Sequence, residues 1–153
     1  MLLVEDDPAV RSLNALWLRR YGYTVHEASD GQEAVALVTE EDVHPDILVT
    51  DLIMPGIGGM SLATSLRPAF SSMKVLYVSG YAKQPDLESG NGQRGVAFLQ
   101  KPFPPARLLS AVRTLLSWPE PERRSPAGLR SSPRQAAAHN KPDRQLGRLN
   151  RGC

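Results

Sequence analysis

The fold is decided by the stretch Pro45-Asp-Ile-Leu-Val-Thr-Asp51 and the residues that follow it, Leu52-Ile-Met-Pro-Gly56. A short apolar run of this kind is typical of a strand buried in a parallel sheet. Pro55-Gly56 is typical of a turn, so the strand should end near Asp51. Open α/β sheets place their chemistry at the carboxyl ends of their strands, and Asp51 is therefore expected at the mouth of such a sheet. A carboxylate placed there can be a metal ligand, a nucleophile or both.

Strand and helix patterns alternate along the chain on both sides of this stretch. Short apolar runs predict strands at residues 1–4, 24–28, 45–51, 73–78 and 96–99. Helices are predicted to begin at Pro8, after Asp30-Gly31, at Gly59 and at Pro104. Residues 82–95 are polar and glycine-rich, so any helix there should be short or frayed. Repeated strand-helix alternation predicts an α/β fold, a five-stranded parallel sheet with helices on both faces.

The first and last helices each show an apolar face at helical spacing. The first is predicted to start with Asp7 as its N-cap and Pro8 in its first turn, and to end at Gly22. Its predicted core-facing residues are Val10, Leu13, Trp17 and Tyr21. The last helix should bury Leu108, Val112 and Leu115.

The chain divides into two parts of different composition. Residues 1–116 carry 10 Lys and Arg against 13 Asp and Glu, whereas residues 117–153 carry 8 against 3. The second part is rich in Pro, Arg and Ser and has few large apolar residues, so it cannot bury enough surface to offset its ordering entropy. We therefore predict one folded domain at residues 1–117 and a basic, disordered tail at 118–153.

Composition also excludes several classes of protein. No apolar stretch approaches the roughly 18–20 residues that span a bilayer, and the N-terminus turns acidic at Glu5, unlike a signal peptide. The single cysteine, Cys153, cannot form a disulfide within the chain. These features predict a cytoplasmic protein without membrane partners.

Polar residues gather at the predicted carboxyl ends of the strands: Glu5 and Asp6, Asp51, Ser79 and Lys101. In a parallel sheet these ends share one edge, so the side chains should meet. Clustered carboxylates repel one another unless a cation neutralises them, and their hard oxygens suit Mg²⁺. A carboxylate nucleophile can take up a phosphoryl group, while a lysine and a hydroxyl stabilise the transferring oxygens. The set therefore predicts Mg²⁺-dependent phosphoryl transfer.

These motifs resemble the receiver domain of two-component response regulators. The resemblance rests on Leu3-Val-Glu-Asp-Asp-Pro8, on Asp51-Leu-Ile-Met-Pro55 with Gly59, on Val78-Ser-Gly80 and on Lys101-Pro-Phe103. It covers about residues 1–116 and implies a flavodoxin-like fold with strand order 2-1-3-4-5. Phe98-Leu-Gln-Lys-Pro-Phe103 and the run at 79–82 are most similar to receivers at the C-terminus of hybrid sensor histidine kinases. We therefore expect either a stand-alone receiver or a longer protein whose start is missing.

The resemblance also implies a role for each site residue. Asp51 would be the phosphoacceptor and a metal ligand, and Glu5 and Asp6 the acidic pair, with Asp6 a direct ligand. Ile53 would lend its backbone carbonyl to the metal. Ser79 would be the switch hydroxyl and Phe98 the switch aromatic, and Lys101 would bind the phosphoryl group, with a cis peptide before Pro102. The implied partner is a histidine kinase or a phosphotransfer protein, and the implied cycle is signal transduction, not enzymatic turnover.

Other interpretations of these residues stay open at this point. The acids at 5–7 are also what a helix N-terminus favours through its dipole. A flavodoxin-like phosphohydrolase or transferase would use similar groups, but it needs a second base or a cap domain that the sequence does not show. A DNA-binding regulator could use the basic tail. However, the tail has no aromatic residues interleaved with its basic ones and no helix-turn-helix pattern, so it would bind nucleic acid only weakly. The sequence leaves the cognate kinase, its signal and the oligomeric state open.

Overall fold

The computed structural model of the chain describes residues 1–80 and 95–119. Its strands are β1 (Leu2–Val4), β2 (His26–Ala28), β3 (Ile47–Asp51), β4 (Lys74–Ser79) and β5 (Val96–Gln100). Its helices are α1 (Pro8–Arg20), α2 (Gly31–Glu40), α3 (Gly59–Leu66) and α4 (Pro105–Leu116). Most elements begin and end within two residues of the predicted positions. β2 and β3 each begin two residues later than predicted, at His26 and Ile47.

The five strands form one parallel sheet in the order β2-β1-β3-β4-β5, which confirms the predicted fold. Leu3 of β1 pairs with Val49 of β3, and Asp51 of β3 pairs with Val78 of β4. Because every strand runs the same way, their carboxyl ends lie along one edge. This edge carries the candidate site.

Side chains of the strands alternate between two core layers, as the pleat of a sheet requires. Leu3, Ile47 and Val49 pack in the layer that contains Leu18 of α1 and Leu108 of α4. Leu2, Leu48 and Val75 pack in the other layer, against residues of α3 that include Leu62 and Leu66. Strands buried on both faces explain why the sequence shows continuous apolar runs and not alternation.

The predicted core face of α1 is wrong. Leu13 and Tyr21 are exposed, at 53% and 56%, and Trp17 is only half-buried. The helix instead buries Asn14, Ala15 and Leu18. Apolar residues lie on both sides of this helix, with Leu16 as exposed as Leu13, so spacing alone selected the wrong stripe. The side of α1 that carries Ala15 and Leu18 packs in the core layer that contains Leu3, Ile47 and Val49 of the sheet.

The last helix behaves as predicted, since Leu108, Val112 and Leu115 are all buried. Two other predictions, a short or frayed helix within 82–95 and a disordered tail at 118–153, lie outside the described residues almost entirely. The boundary of the folded domain at residue 117 likewise stays a prediction. Within residues 1–80 and 95–119, no helix has the length and apolar character needed to cross a membrane.

Candidate functional site

Three strand ends meet at the carboxyl edge of the sheet. The Leu52 amide donates to the Val78 carbonyl at 2.8 Å, which joins the residue after Asp51 to β4. The Lys101 amide donates to the Ser79 carbonyl, also at 2.8 Å. These bonds continue the strand pairing by one residue beyond each strand. They bring Asp51, Ser79 and Lys101 to the same edge, where β1 delivers Glu5 and Asp6.

Glu5, Asp6 and Asp51 form a cluster that could hold a metal ion. One carboxylate oxygen from each residue lies within 4.8 Å of the other two. Carboxylate oxygens are hard ligands of the type that Mg²⁺ prefers, and Mg²⁺ typically takes only one or two of them directly. The donor set therefore fits the predicted ion. The Ile53 carbonyl stays a predicted ligand.

Lys101 bridges two of these three carboxylates. Its Nζ lies 2.8 Å from Glu5 Oε2 and 2.7 Å from Asp51 Oδ2. The lysine side chain is 24% exposed, against 4% for Glu5 and 12% for Asp51. Burial by itself lowers the pKa of Lys101, but the hydrogen bonds to Asp51 and Glu5 outweigh it and raise the pKa above its ordinary value. The side chain is therefore a permanent cation at neutral pH.

Glu5 is the most enclosed acid of the cluster. Its backbone amide donates to the Ala28 carbonyl at 3.2 Å, and its Oε1 accepts from the Asp7 amide at 3.4 Å. Burial raises the pKa of the Glu5 carboxyl, and the hydrogen bond from Lys101 offsets part of this rise. Glu5 is thus a buried acid fixed by hydrogen bonds, and it shares Lys101 as its counter-ion with Asp51.

Asp7, the third acid of the run, has a different task. Its Oδ1 accepts from the amides of Ala9 and Val10, at 2.8 and 3.0 Å, and caps α1 as predicted. These hydrogen bonds, the one from Val10 first, lower the pKa of Asp7. Asp6, between the two, is exposed and points into the cluster with Asp51. The helix-cap interpretation of this acidic run therefore holds for Asp7 alone.

The loop after Asp51 is held close to that residue. The Ile53 amide donates to Asp51 Oδ1 at 3.0 Å, and the Gly59 amide donates to the Leu52 carbonyl at 3.2 Å. A Cβ on residue 59 would overlap the Asp51 carbonyl oxygen, so this close approach requires glycine. Asp51 is consequently held at both carboxylate oxygens, by Ile53 on one side and Lys101 on the other.

The two predicted switch residues lie on β4 and β5. Ser79 is buried at the end of β4, and its backbone carbonyl accepts from Lys101. Phe98 is half-buried, pairs with Tyr77 and packs against the core layer that contains α3. The Lys101–Pro102 peptide is cis, as the resemblance implied.

Sequence reasoning missed Arg11. Its Nη1 donates to the Glu5 backbone carbonyl at 2.6 Å. Helical side chains point back toward the N-terminus of their helix, so a basic residue in the first turn of α1 can reach the end of β1. The sequence places this basic residue near the start of α1, but residue type does not indicate which carbonyl it contacts.

Comparison with known proteins agrees with this arrangement. The sequence model of the response regulator receiver domain matches residues 1–113. The sensor kinase CckA of Brucella abortus (strain 2308) is 38% identical over 116 residues, which cover 76% of this chain and 12% of the kinase. The response regulator MprA of Mycobacterium leprae (strain TN) is 32% identical over 122 residues, or 80% of this chain and 53% of the regulator. The chain thus spans about half or less of the length of these curated relatives.

A solved structure shows the same likeness. The crystal structure of the receiver domain from the hybrid histidine kinase CckA is 39% identical and superimposes with a TM-score of 0.63. The match covers 75% of this chain and 96% of that domain.

Proposed function

The chain belongs to the response regulator receiver domain family, and we propose that Asp51 accepts a phosphoryl group from the phosphohistidine of a histidine kinase or phosphotransfer protein. The observation that carries the proposal is the pairing of Asp51 with Lys101 beside the acids of β1. This arrangement supplies a nucleophile, a fixed cation and a set of metal ligands at one edge of the sheet.

Asp51 is suited to be the nucleophile among the four acids of the site. Glu5 is almost fully enclosed and Asp7 is occupied as a helix cap. Asp6 is exposed, but none of the described residues orients its carboxylate by a hydrogen bond. The Asp51 side chain keeps 12% of its surface exposed. Its two oxygens are oriented by Ile53 and Lys101. An oriented carboxylate needs little reorganisation before in-line attack on phosphorus.

In the proposed step an Asp51 oxygen forms a bond to phosphorus, and the bond between phosphorus and the histidine nitrogen breaks. The bonding electron pair stays on that nitrogen, and the imidazole leaves as a neutral ring because its other ring nitrogen carries a proton. Lys101 stabilises the negative charge on the transferring oxygens, and Ser79 donates a hydrogen bond to the new acyl phosphate. Mg²⁺ bound by Glu5, Asp6, Asp51 and the Ile53 carbonyl would neutralise phosphoryl charge and orient the donor.

The readout is a change in partner binding. Ser79 and Phe98 lie on neighbouring strands, so movement of Ser79 toward the phosphoryl group allows Phe98 to repack at the half-buried edge formed by β5. The protein acts in this proposal as a phosphorylated signalling module in the cytoplasm, not as an enzyme with a substrate that turns over. The likeness to the CckA receiver supports a source in a hybrid kinase phosphorelay.

Acetyl phosphate tests the proposal without a known kinase. We expect the full chain to gain one phosphoryl group in the presence of Mg²⁺, measured by intact mass spectrometry, and Asp51→Asn to gain none. Asp7→Asn is the matched control and should still be labelled, because Asp7 serves the helix and not the reaction. Labelling of Asp51→Asn would place the acceptor elsewhere, and turnover of phosphate monoesters would favour a phosphohydrolase.

A further inference from the structure

Arg11 makes a contact behind the acidic cluster that the proposed reaction does not use. It lies in the first turn of α1, and its Nη1 donates to the Glu5 carbonyl at 2.6 Å. The side chain is 19% exposed, and its Nε lies 4.0 Å from Glu27 Oε2. Glu27 is itself held by Arg19, whose Nη1 lies 2.6 Å from Glu27 Oε1. Arg11 is therefore a well-held side chain and not a mobile surface cation.

The Glu5 carbonyl belongs to the peptide that links Glu5 to Asp6. Because a peptide is planar, a hydrogen bond to its oxygen restrains the direction in which both neighbouring residues leave the plane. Glu5 has further restraints, since Asp7 and Lys101 both donate to its carboxylate. None of the described residues donates a hydrogen bond to the Asp6 carboxylate. The direction of Asp6 toward the cluster is therefore set by the path of its backbone and by its own side-chain torsions, and not by a hydrogen bond from a described residue.

We propose that Arg11 is a positioning residue that holds the Glu5–Asp6 peptide in the orientation that presents both carboxylates to a divalent cation. This inference rests on the proposed function, because it concerns the metal ligands of the same site. Arg11 acts through the backbone and does not touch the ion. Outer partners of this kind typically change metal affinity by about 10- to 100-fold when they are removed.

A purely electrostatic role for Arg11 predicts the opposite change in Mg²⁺ affinity when Arg11 is removed. A cation near the cluster repels a second cation, so its removal alone should strengthen binding of Mg²⁺. Positioning predicts weaker binding when Arg11 is removed, although the site then loses a positive charge. The direction of the change therefore separates the two roles.

The test compares Arg11→Met with Arg19→Met in the full chain. Methionine keeps an unbranched apolar stem and removes every donor. Arg19→Met removes the same charge from the same helix, together with contacts to Glu27 and to the Val25 carbonyl, but it does not touch Glu5. Mg²⁺ affinity is measured by isothermal titration calorimetry. The ¹³C shift of the Glu5 carbonyl and the amide shift of Asp6 are measured by NMR without metal.

We expect Arg11→Met to bind Mg²⁺ about tenfold more weakly and to shift the Glu5 carbonyl resonance, while Arg19→Met does neither. Equal or tighter binding by Arg11→Met would overturn the inference, as would an equal loss in Arg19→Met. If Arg11→Met does not fold, Arg11→Lys replaces it, with an intermediate loss expected and unchanged affinity overturning the inference. Failure of the wild-type chain to bind Mg²⁺ would overturn the proposed function and this inference with it. Normal wild-type binding with unchanged Arg11→Met affinity would overturn the inference alone.

Discussion

The carboxyl end of β1 carries three consecutive acids, whereas the carboxyl end of β3 carries one. At β1, Glu5 is buried on Lys101, Asp6 is exposed toward the cluster and Asp7 caps α1. At β3, Asp51 stands alone, and the loop after it turns back to donate to its side chain. The three acids after β1 therefore have three different environments. Asp51 differs from them because its carboxylate is oriented by hydrogen bonds and is also partly exposed to solvent.

Most of the negative charge of the site and its proposed nucleophile therefore lie at the ends of different strands. The β1 end contributes negative charge that a cation must balance, and it is enclosed or occupied at two of its three positions. The β3 end contributes Asp51, the proposed nucleophile, whose side chain is partly exposed. Lys101, from the end of β5, contacts one acid at each strand end and couples them.

Removal of that coupling should have the largest effect. Lys101→Met leaves Glu5 and Asp51 without their shared cation and removes a donor to the phosphoryl oxygens. We expect the rate of labelling by acetyl phosphate to fall about 100-fold, while Mg²⁺ affinity rises because the ammonium no longer competes for the carboxylates. The labelling rate is measured by mass spectrometry of samples quenched at successive times, and the Mg²⁺ affinity by isothermal titration calorimetry. A parallel loss of rate and of affinity would show that the two strand ends are not coupled in this way.

A second prediction separates the acids within the β1 end. Asp6→Ala should weaken Mg²⁺ binding by about tenfold or more. Removal of a residue that only orients a metal ligand already costs roughly tenfold, and Asp6 is a proposed ligand itself. Asp7→Ala keeps the backbone amide that donates to Glu5, so its Mg²⁺ affinity should be nearly unchanged. It should instead lower the thermal midpoint, because α1 loses its N-cap. Calorimetry and thermal denaturation of both variants measure the contrast. Equal affinities in the two variants would assign Asp6 and Asp7 the same role.

The smallest effect concerns the burial of Glu5. Because its folded-state pKa is raised above the unfolded value of 4.5, the folded chain binds this proton more tightly than the unfolded chain does. Stability contributed by Glu5 therefore falls as the pH rises through the window above 4.5. In metal-free protein, the thermal midpoint of Glu5→Gln relative to wild type should increase by a few degrees at most between pH 4 and pH 7. A decrease over this range would contradict the raised pKa.

The same molecule shows where sequence patterns succeed and where they do not. In α4 the apolar residues lie on one side of the helix, so the spacing of Leu108, Val112 and Leu115 identified the buried face correctly. In α1 large apolar residues occupy the outer side as well, and Leu13 and Leu16 are exposed. Helical periodicity detects a stripe but does not say which of two stripes faces the sheet. Contact with the strands made that choice.

The candidate site divides in a similar way. Its residues were predictable because a parallel sheet brings all strand ends to one edge, so Glu5, Asp6, Asp51, Ser79 and Lys101 had to gather there. The environment of each residue was not predictable, because it depends on side-chain directions and on contacts across the sheet. The bridge from Lys101 joins residues 96 and 50 positions apart in the chain, and no local pattern encodes it. Arg11 was missed because its partner is a backbone carbonyl, which leaves no trace in residue type.

The sequence by itself determined the parallel α/β fold, the edge that carries the polar residues and the resemblance to the receiver family, and that resemblance in turn implied the strand order. These follow from local features, namely apolar runs, turn residues and motifs whose spacing the chain itself records. The tertiary structure decided which acid is enclosed, which is free, which face of α1 meets the sheet and which side chains hold the Glu5–Asp6 peptide. The physical reason is that burial and hydrogen bonding depend on distances between segments that are remote in sequence, and those distances exist only once the sheet and helices have packed.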